Sequence, residues 1–316
     1  MPTISKASAY LLSYRSQNKE EDRRLDSQHD VIKHAILDGH LIHPAIPVPT
    51  PDTSIADIAC GTGIWLEDVR KTYLGNAPSN TRNTFLLVGF DINSHAFDSN
   101  FAPAVRFVEQ DCTKEFPVEY HEKFDLVNMR GLAYAIPRDG FASLISNAVK
   151  LLRPGGHLQW LETDTRLFKQ FPVTSDFKEA IEVINAVRRS RNLVVDMPTF
   201  MLQELLQHGV RDGVDISTSG QESVSILHFN LLPGGICRDP ELVEDELNRR
   251  FSTTILESVK LLLAPALDEP ESKQPRTEEE KLRITKLMTA IASSITVDEV
   301  TAGGTFPHVV AQKTKA

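Results

Sequence analysis

Between residues 54 and 162, five short apolar segments alternate with longer amphipathic ones, and this alternation narrows the available folds more than any other feature of the chain. The apolar runs are SIADIA, FLLVGFDI, VRFVEQD, FDLVNM and HLQWLE, and between them IWLEDVRKTY and FASLISNAVKLL carry helical spacing. Strands joined by helical crossovers form a parallel sheet covered on both faces, so the expected class is α/β. GNAPSNTRNT (75–84) reads as a surface loop before the second strand, and LLRPGG (151–156) ends a helix and turns into the fifth.

The flanks have a different character. In residues 19–37, Leu25, His29, Ile32 and Ile36 share one helical face, and Pro44, Pro47, Pro49 and Pro51 then forbid a continuous helix. Beyond residue 165 the pattern is mainly helical, with a Pro- and acid-rich loop at 265–276 and a β-branched terminal segment, PHVVAQKTKA, that reads as a last strand. The expected organisation is an N-terminal helical arm or lid (1–52), an α/β core (53–232 with 301–316) and a helical insertion that caps the substrate (233–300). The run Arg188, Arg189, Arg191 reads as a solvated helix face.

Charge and cysteine usage remove several functions. The chain has 34 Lys and Arg against 43 Asp and Glu, a net charge of -9 that repels a phosphate backbone, so nucleic acid is not an expected partner. No apolar run approaches the roughly 18 residues of a membrane span, and the N-terminus lacks a signal-peptide pattern. The expected location is therefore the cytoplasm, with the nucleus open. Cys60, Cys112 and Cys237 form no CxxC and are expected to be free thiols. His29 and His34 point about 140° apart on a helix, so no metal site is expected.

The chemistry centres on Asp57-Ile58-Ala59-Cys60-Gly61-Thr62-Gly63, where the first strand passes into a helix. Gly61 and Gly63 permit a sharp turn and close backbone approach, and the helix start offers unpaired N–H groups. A dinucleotide fingerprint would need glycine where Leu66 stands, and no GK[ST] follows for a P-loop. Asp57 would repel a pyrophosphate but suits the ammonium and sulfonium of S-adenosylmethionine. Asp91 at the second strand's tip can accept two ribose hydroxyls, and Asp111 after the third can accept from an adenine amino group.

Through DIACGTG, GFDIN, EQDCT, FDLVNMRGL and LLRPGGHLQWLE, residues 53–165 resemble the class I S-adenosylmethionine-dependent methyltransferases. The N-terminal YRSQNKEEDRRLDSQH and GTGIW resemble more narrowly the fungal secondary-metabolism methyltransferases related to the velvet-complex regulator. The resemblance implies a Rossmann-like, mostly parallel, seven-stranded sheet and S-adenosyl-L-methionine as cofactor. It implies that Asp57, Ala59, Gly61 and Gly63 hold the methionine part, Asp91 and Ile92 the ribose, and Asp111 and Cys112 the adenine, with Met129 and Arg130 lining the sulfonium side. Tyr14, Arg24, Gln28 and His29 would close the arm over the cofactor, and Arg24 would pair its carboxylate. Ala59 stands where the family usually has glycine, a mild departure in size.

A sulfonium is an activated leaving group, so methyl transfer needs mainly in-line placement and exclusion of water. Accordingly the sequence carries no GxSxG, no HExxH and no [DN]PP[FY]. Tyr134 is the candidate substrate contact, and Glu162, Asp164 and His228 are the candidate bases or amine holders. The expected function is methylation of O, N or C in a small natural product. Two alternatives stay open on the sequence: a cyclisation or rearrangement promoted by the bound sulfonium without methyl transfer, and regulatory binding. Homo-oligomerisation is likewise open.

Overall fold

The computed structural model describes residues 19–74, 87–98, 101, 105–207, 224–234, 246–267, 276–296 and 300–314. Eight strands are present among them: β1 (Ile55–Ile58), β2 (Leu87–Asp91), β3 (Val105–Glu109), β4 (Phe124–Arg130), β5 (Leu152–Leu161), β6 (Lys169–Phe171), β7 (Val224–Gly234) and β8 (Thr301–Lys313). The order runs β3-β2-β1-β4-β5-β8, with β7 on the other edge of β8. The first five are parallel, whereas β8 is antiparallel to both β5 and β7. This is the mostly parallel Rossmann-like sheet of seven strands. The three-residue β6 is an addition paired with the start of β8.

The terminal strand is longer than PHVVAQKTKA alone suggests, because TAGGTF continues it backwards to Thr301. The LLRPGG segment also differs from expectation. β5 begins at Leu152, directly after the helix, and the irregularity is absorbed as a register shift against β4 between Phe124 and Leu126.

Seven α-helices among the described residues cover the sheet: α1 (Lys19–Ala35), α2 (Ile64–Val69), α3 (Phe141–Leu151), α4 (Ser175–Ser190), α5 (Met197–Gln207), α6 (Glu246–Leu263) and α7 (Glu278–Ile295). Local chemistry fixes their ends. α1 opens with Glu20, Glu21 and Asp22 and closes with Lys33 and His34, which complements the helix dipole. Thr174 caps α4, and Thr277 with Glu280 forms a capping box on α7.

Three apolar clusters form the core. One face of the sheet packs on α3 and α5 through Phe90, Phe124, Phe141 and Trp160. A second cluster joins α1, α4, α6 and α7 through Val31, Ile36, Ile184, Leu256 and Leu287. The third seats α2 and the connector residues Leu41, Ile42 and Ile46 over β1 and β4. The helical arm is therefore held by Val31 and Ile36, while Leu25 and Ile32 of the expected face are only half-buried. Arg188 departs from the solvated-face reading, because it is fully buried and its guanidinium lies 4.8 Å from the centre of the Tyr134 ring. No helix of the described residues is long and apolar enough to cross a membrane.

Candidate active site

In a sheet of this order the strands on either side of β1 are reached by crossovers running in opposite directions, which opens a crevice at the carboxyl ends of β1 and β4. The turn after β1 lies there. Ala59, Gly61 and Gly63 have φ of 57°, 57° and 84°, so the backbone is left-handed at all three. A Cβ at Gly63 would meet Phe107 at 2.4 Å, which leaves glycine as the residue that fits. Ala59 thus carries a Cβ in the left-handed backbone that glycine adopts without strain.

Acidic side chains surround this turn. Asp57 is buried and accepts a 2.8 Å hydrogen bond from Asn128 Nδ2. Burial pushes its carboxyl up to about 7, against the opposing pull of the Asn128 hydrogen bond and of Arg130. Asp91 accepts from the Gly61 and Asn93 backbone N–H groups, each at 2.8 Å, so it ties the tip of β2 to the glycine turn. Its pKa is raised by burial, which those N–H groups partly offset. Ile92 N–H adds a third donor, which leaves about one of the carboxylate's four lone pairs for a ribose hydroxyl. Ile92 beside it is 43% exposed, an apolar surface at the same rim.

Asp111 accepts from its neighbour Thr113 through both backbone N–H (3.0 Å) and hydroxyl (2.6 Å), using Oδ1 alone. Cys112 is buried with its thiol pushed up to about 12, and its carbonyl accepts from Asn147.

The arm reaches this site. Thr62 donates to Asp26 at 2.7 Å, and a Cβ at Gly61 would stand 3.5 Å from Leu25. His29 is buried between Asp68 of α2, 3.0 Å from Nε2, and Arg130 of β4, 3.1 Å from Nδ1. The Arg side chain has no acceptor, so Nδ1 accepts and Nε2–H donates to Asp68. Lys33 adds a 2.9 Å bond to Asp68. Burial, followed by the Arg130 charge, pulls His29 down to about 4, which keeps it neutral.

Several expected site residues sit elsewhere. Met129 is fully buried in the core, because side chains alternate along β4 and Asn128 and Arg130 take the opposite face. It packs beneath the site instead of lining it. Arg24 is held by Glu21 of the same helix at 2.6 and 2.9 Å and contacts Gln28. Tyr14 lies outside the described residues. His228 is in β7, opposite Val310, and its side chain also lies outside them.

At the β5 end, Glu162 and Asp164 are fully buried and already engaged. Glu162 Oε1 accepts from Leu132 N–H and the Trp160 indole, both at 2.8 Å, and Oε2 from Ala133 N–H at 3.0 Å. Burial raises its carboxyl to about 7 against those donors. Asp164 accepts from Arg166 and from Met197 N–H. Glu162 thus anchors the turn after β4 and Asp164 the start of α5, each through oxygens expected of a base. Tyr134 is half-buried at that turn, and its enclosed hydroxyl lies beside Thr163.

The residues missed in the sequence are Asn128, Asp26 and Asp68. Asn128 had a signal, since a lone amide inside the apolar run FDLVNM needs a buried partner. Asp26 and Asp68 gave none, because acids on helices are ordinarily solvated.

Residues 55–156 match the profile of a family described as "Methyltransferase domain". Methyltransferase grgD of Penicillium sp is 26% identical over 273 residues, covering 86% of this chain and 87% of the relative. N-methyltransferase gliN of Aspergillus fumigatus is 31% identical over 180 residues, which is 54% of this chain and 58% of the relative. N-methyltransferase sirN of Leptosphaeria maculans is 31% identical over 178 residues, 55% of this chain and 58% of the relative. The alignments with gliN and sirN thus span little more than half of those proteins.

Proposed function

The chain is a class I S-adenosylmethionine-dependent methyltransferase of the kind found in fungal secondary metabolism, and from that we propose that it methylates a nitrogen atom of a small natural product. The observation that carries this reading is the engagement of both carboxylates at the β5 end. Glu162 is filled by two backbone N–H groups and an indole, and Asp164 by Arg166 and Met197 N–H. Neither is placed to take a proton from an acceptor that must ionise before it attacks. A neutral amine already carries a lone pair and needs only alignment. The names of gliN and sirN as N-methyltransferases support the same choice.

The cofactor supplies a methyl group on a positively charged sulfur. This chain's residues fit it: the glycine turn leaves no room for a side chain at Gly63, and Asp91 keeps acceptor capacity toward the crevice. Asp57 and the backbone at Gly61 and Gly63 would hold the methionine part, Asp91 and Ile92 the ribose, and Asp111 and Cys112 the adenine. Arg130, which bonds His29 and lies near Asp57, would offer a cation to the cofactor's carboxylate. The arm excludes water from this end through Asp26, His29 and Leu25, and the turn carrying Tyr134 faces the acceptor.

Incubating the protein with S-adenosylmethionine and a panel of aromatic amines, phenols and carboxylic acids tests the reading, with S-adenosylhomocysteine release as the readout. Turnover is expected with amines. Turnover confined to phenols or acids would overturn the nitrogen assignment, and binding of S-adenosylmethionine without release of product would overturn methyl transfer.

A further inference from the structure

Three polar side chains stand side by side across the middle of an otherwise apolar sheet. In register, Asp57 of β1 lies opposite Asn128 of β4, and Asn128 opposite Gln159 of β5. All three are buried, with exposures of 4%, 2% and 3%. Three polar groups in one rung are costly to bury unless they bond one another, and here they do.

The direction of every bond in the rung is set from outside it. Leu41 carbonyl can only accept and His43 backbone N–H can only donate. Gln159 Nε2 donates to Leu41 O at 3.0 Å, and its Oε1 accepts from His43 N at 2.8 Å. Its amide therefore cannot be reversed without opposing like groups on both sides. The second Nε2 hydrogen goes to Asn128 Oδ1 at 3.1 Å, which forces Asn128 to turn its Nδ2 toward Asp57 at 2.8 Å. Asp57 Oδ1 thus faces a donor and serves as an acceptor. Trp65 Nε1 also donates to Leu41 O, at 3.2 Å, and Leu41 and Ile42 are packed into the cluster over β1 and β4. The backbone that sets the polarity is itself held in place.

We propose that connector residues 41–43, acting through Gln159 and Asn128, keep Asp57 in the charged, accepting form that receives the cofactor's ammonium group. Gln159 and Asn128 are then positioning residues for cofactor binding, although Gln159 is two strands away from Asp57. This rests on the cofactor reading above. The ionisable groups that face Asp57 are Arg130 from β4, which favours its charge, and Asp91 from β2, which opposes it; the Cys60 thiol lies near both acids. Burial alone drives Asp57 toward the neutral form, so the amide donor is one of two groups working against it. With Gln159 silenced, Asn128 can rotate and present its oxygen, which a protonated Asp57 would meet better than a charged one.

The test is calorimetry of S-adenosylhomocysteine binding from pH 6 to 9 on the full chain, for the wild type, Gln159→Met and Val105→Ala. Val105→Ala trims the same apolar cluster from β3, away from residues 41–43 and from the rung. In the wild type, affinity should rise with pH and then level off as Asp57 ionises. In Gln159→Met that break should move up by about one pH unit, giving about tenfold weaker binding at low pH and near-equal binding at pH 9. Val105→Ala should leave the break in place. An unmoved break in a folded Gln159→Met, or an equal movement in a folded Val105→Ala, overturns the inference. Absence of binding by the folded wild type at every pH would instead overturn the cofactor reading. If Gln159→Met does not fold, the wild type still decides: the side-chain amide protons of Asn128 and Gln159 should exchange slowly with solvent by NMR, and rapid exchange overturns the inference.

Discussion

The two ends of the crevice are built differently. At the cofactor end, backbone shape carries the site: a left-handed turn at Ala59, Gly61 and Gly63, stitched to β2 by Asp91. At the acceptor end, buried side chains carry it: Glu162 holds the turn after β4, and Arg188 lies against Tyr134 while donating to Thr165 and to the Val194 carbonyl. The first end, proposed for a ligand of fixed structure, can be built from one short segment. The second is assembled from β4, β5 and α4, so its shape can change without disturbing the sheet.

The largest expected effect tests whether Glu162 is an anchor or a base. Glu162→Ala would orphan three buried N–H donors, each worth about 1–3 kcal/mol, and should lower stability by at least about 3 kcal/mol in urea unfolding. Unchanged stability with turnover abolished would return Glu162 to the role of base and remove the contrast between the two ends.

An effect of similar size concerns the arm, which packs against the glycine turn and α2 and is proposed to close the cofactor end. The His29 pKa is lowered to about 4 in the fold from an ordinary 6.5, so the unfolded chain takes up its proton first. The stability that neutral His29 contributes is complete above pH 6.5 and is lost as pH falls toward 4, on the order of 3 kcal/mol in total. Unfolding measured across that range should show a steeper acid limb in the wild type than in His29→Gln. Parallel limbs would mean that His29 does not hold the arm.

Next in size is Asp91→Ala, which removes the carboxylate proposed for the ribose. Affinity for S-adenosylhomocysteine should fall by about 1.5–3 kcal/mol, the range for hydrogen bonds to a charged acceptor. Since Asp91 also accepts from Gly61 and Asn93, a stability measurement must accompany the titration. Unchanged affinity would leave Asp91 as a clasp between β2 and the turn.

This contrast also explains what could be read in the sequence. The alternation of strands and helices, the strand-tip acids and the glycine turn are all local, and α1 and α3 fall where their periodicity places them. The roles of Glu162, Asp164 and Arg188 depend in part on partners 23 to 33 residues away, and a solvated carboxylate or guanidinium has the same local sequence as a buried one. His29 shows both sides: its helical face was legible, whereas its bonds to Asp68 and Arg130, 39 and 101 residues away, were not. Asn128 and Gln159 lie between, since amides inside apolar strands mark buried polarity without naming the partner.

The smallest expected effect bears on the cofactor end's own departure from pattern. Ala59 has φ of 57°, in the left-handed region where a Cβ crowds the following carbonyl, and it is flanked by a turn whose other special positions are glycine. An alanine held at such a φ destabilises by more than its smaller unfolded-state entropy returns, so Ala59→Gly should raise stability by about 1 kcal/mol. Cofactor affinity should change little, because the turn already adopts the conformation that glycine would prefer. The opposing contribution is packing, since Ala59 lies against the apolar core beneath the turn. A less stable Ala59→Gly would show that this methyl group holds the turn onto the sheet, and the cofactor end would then depend on side-chain packing in the same way as the acceptor end.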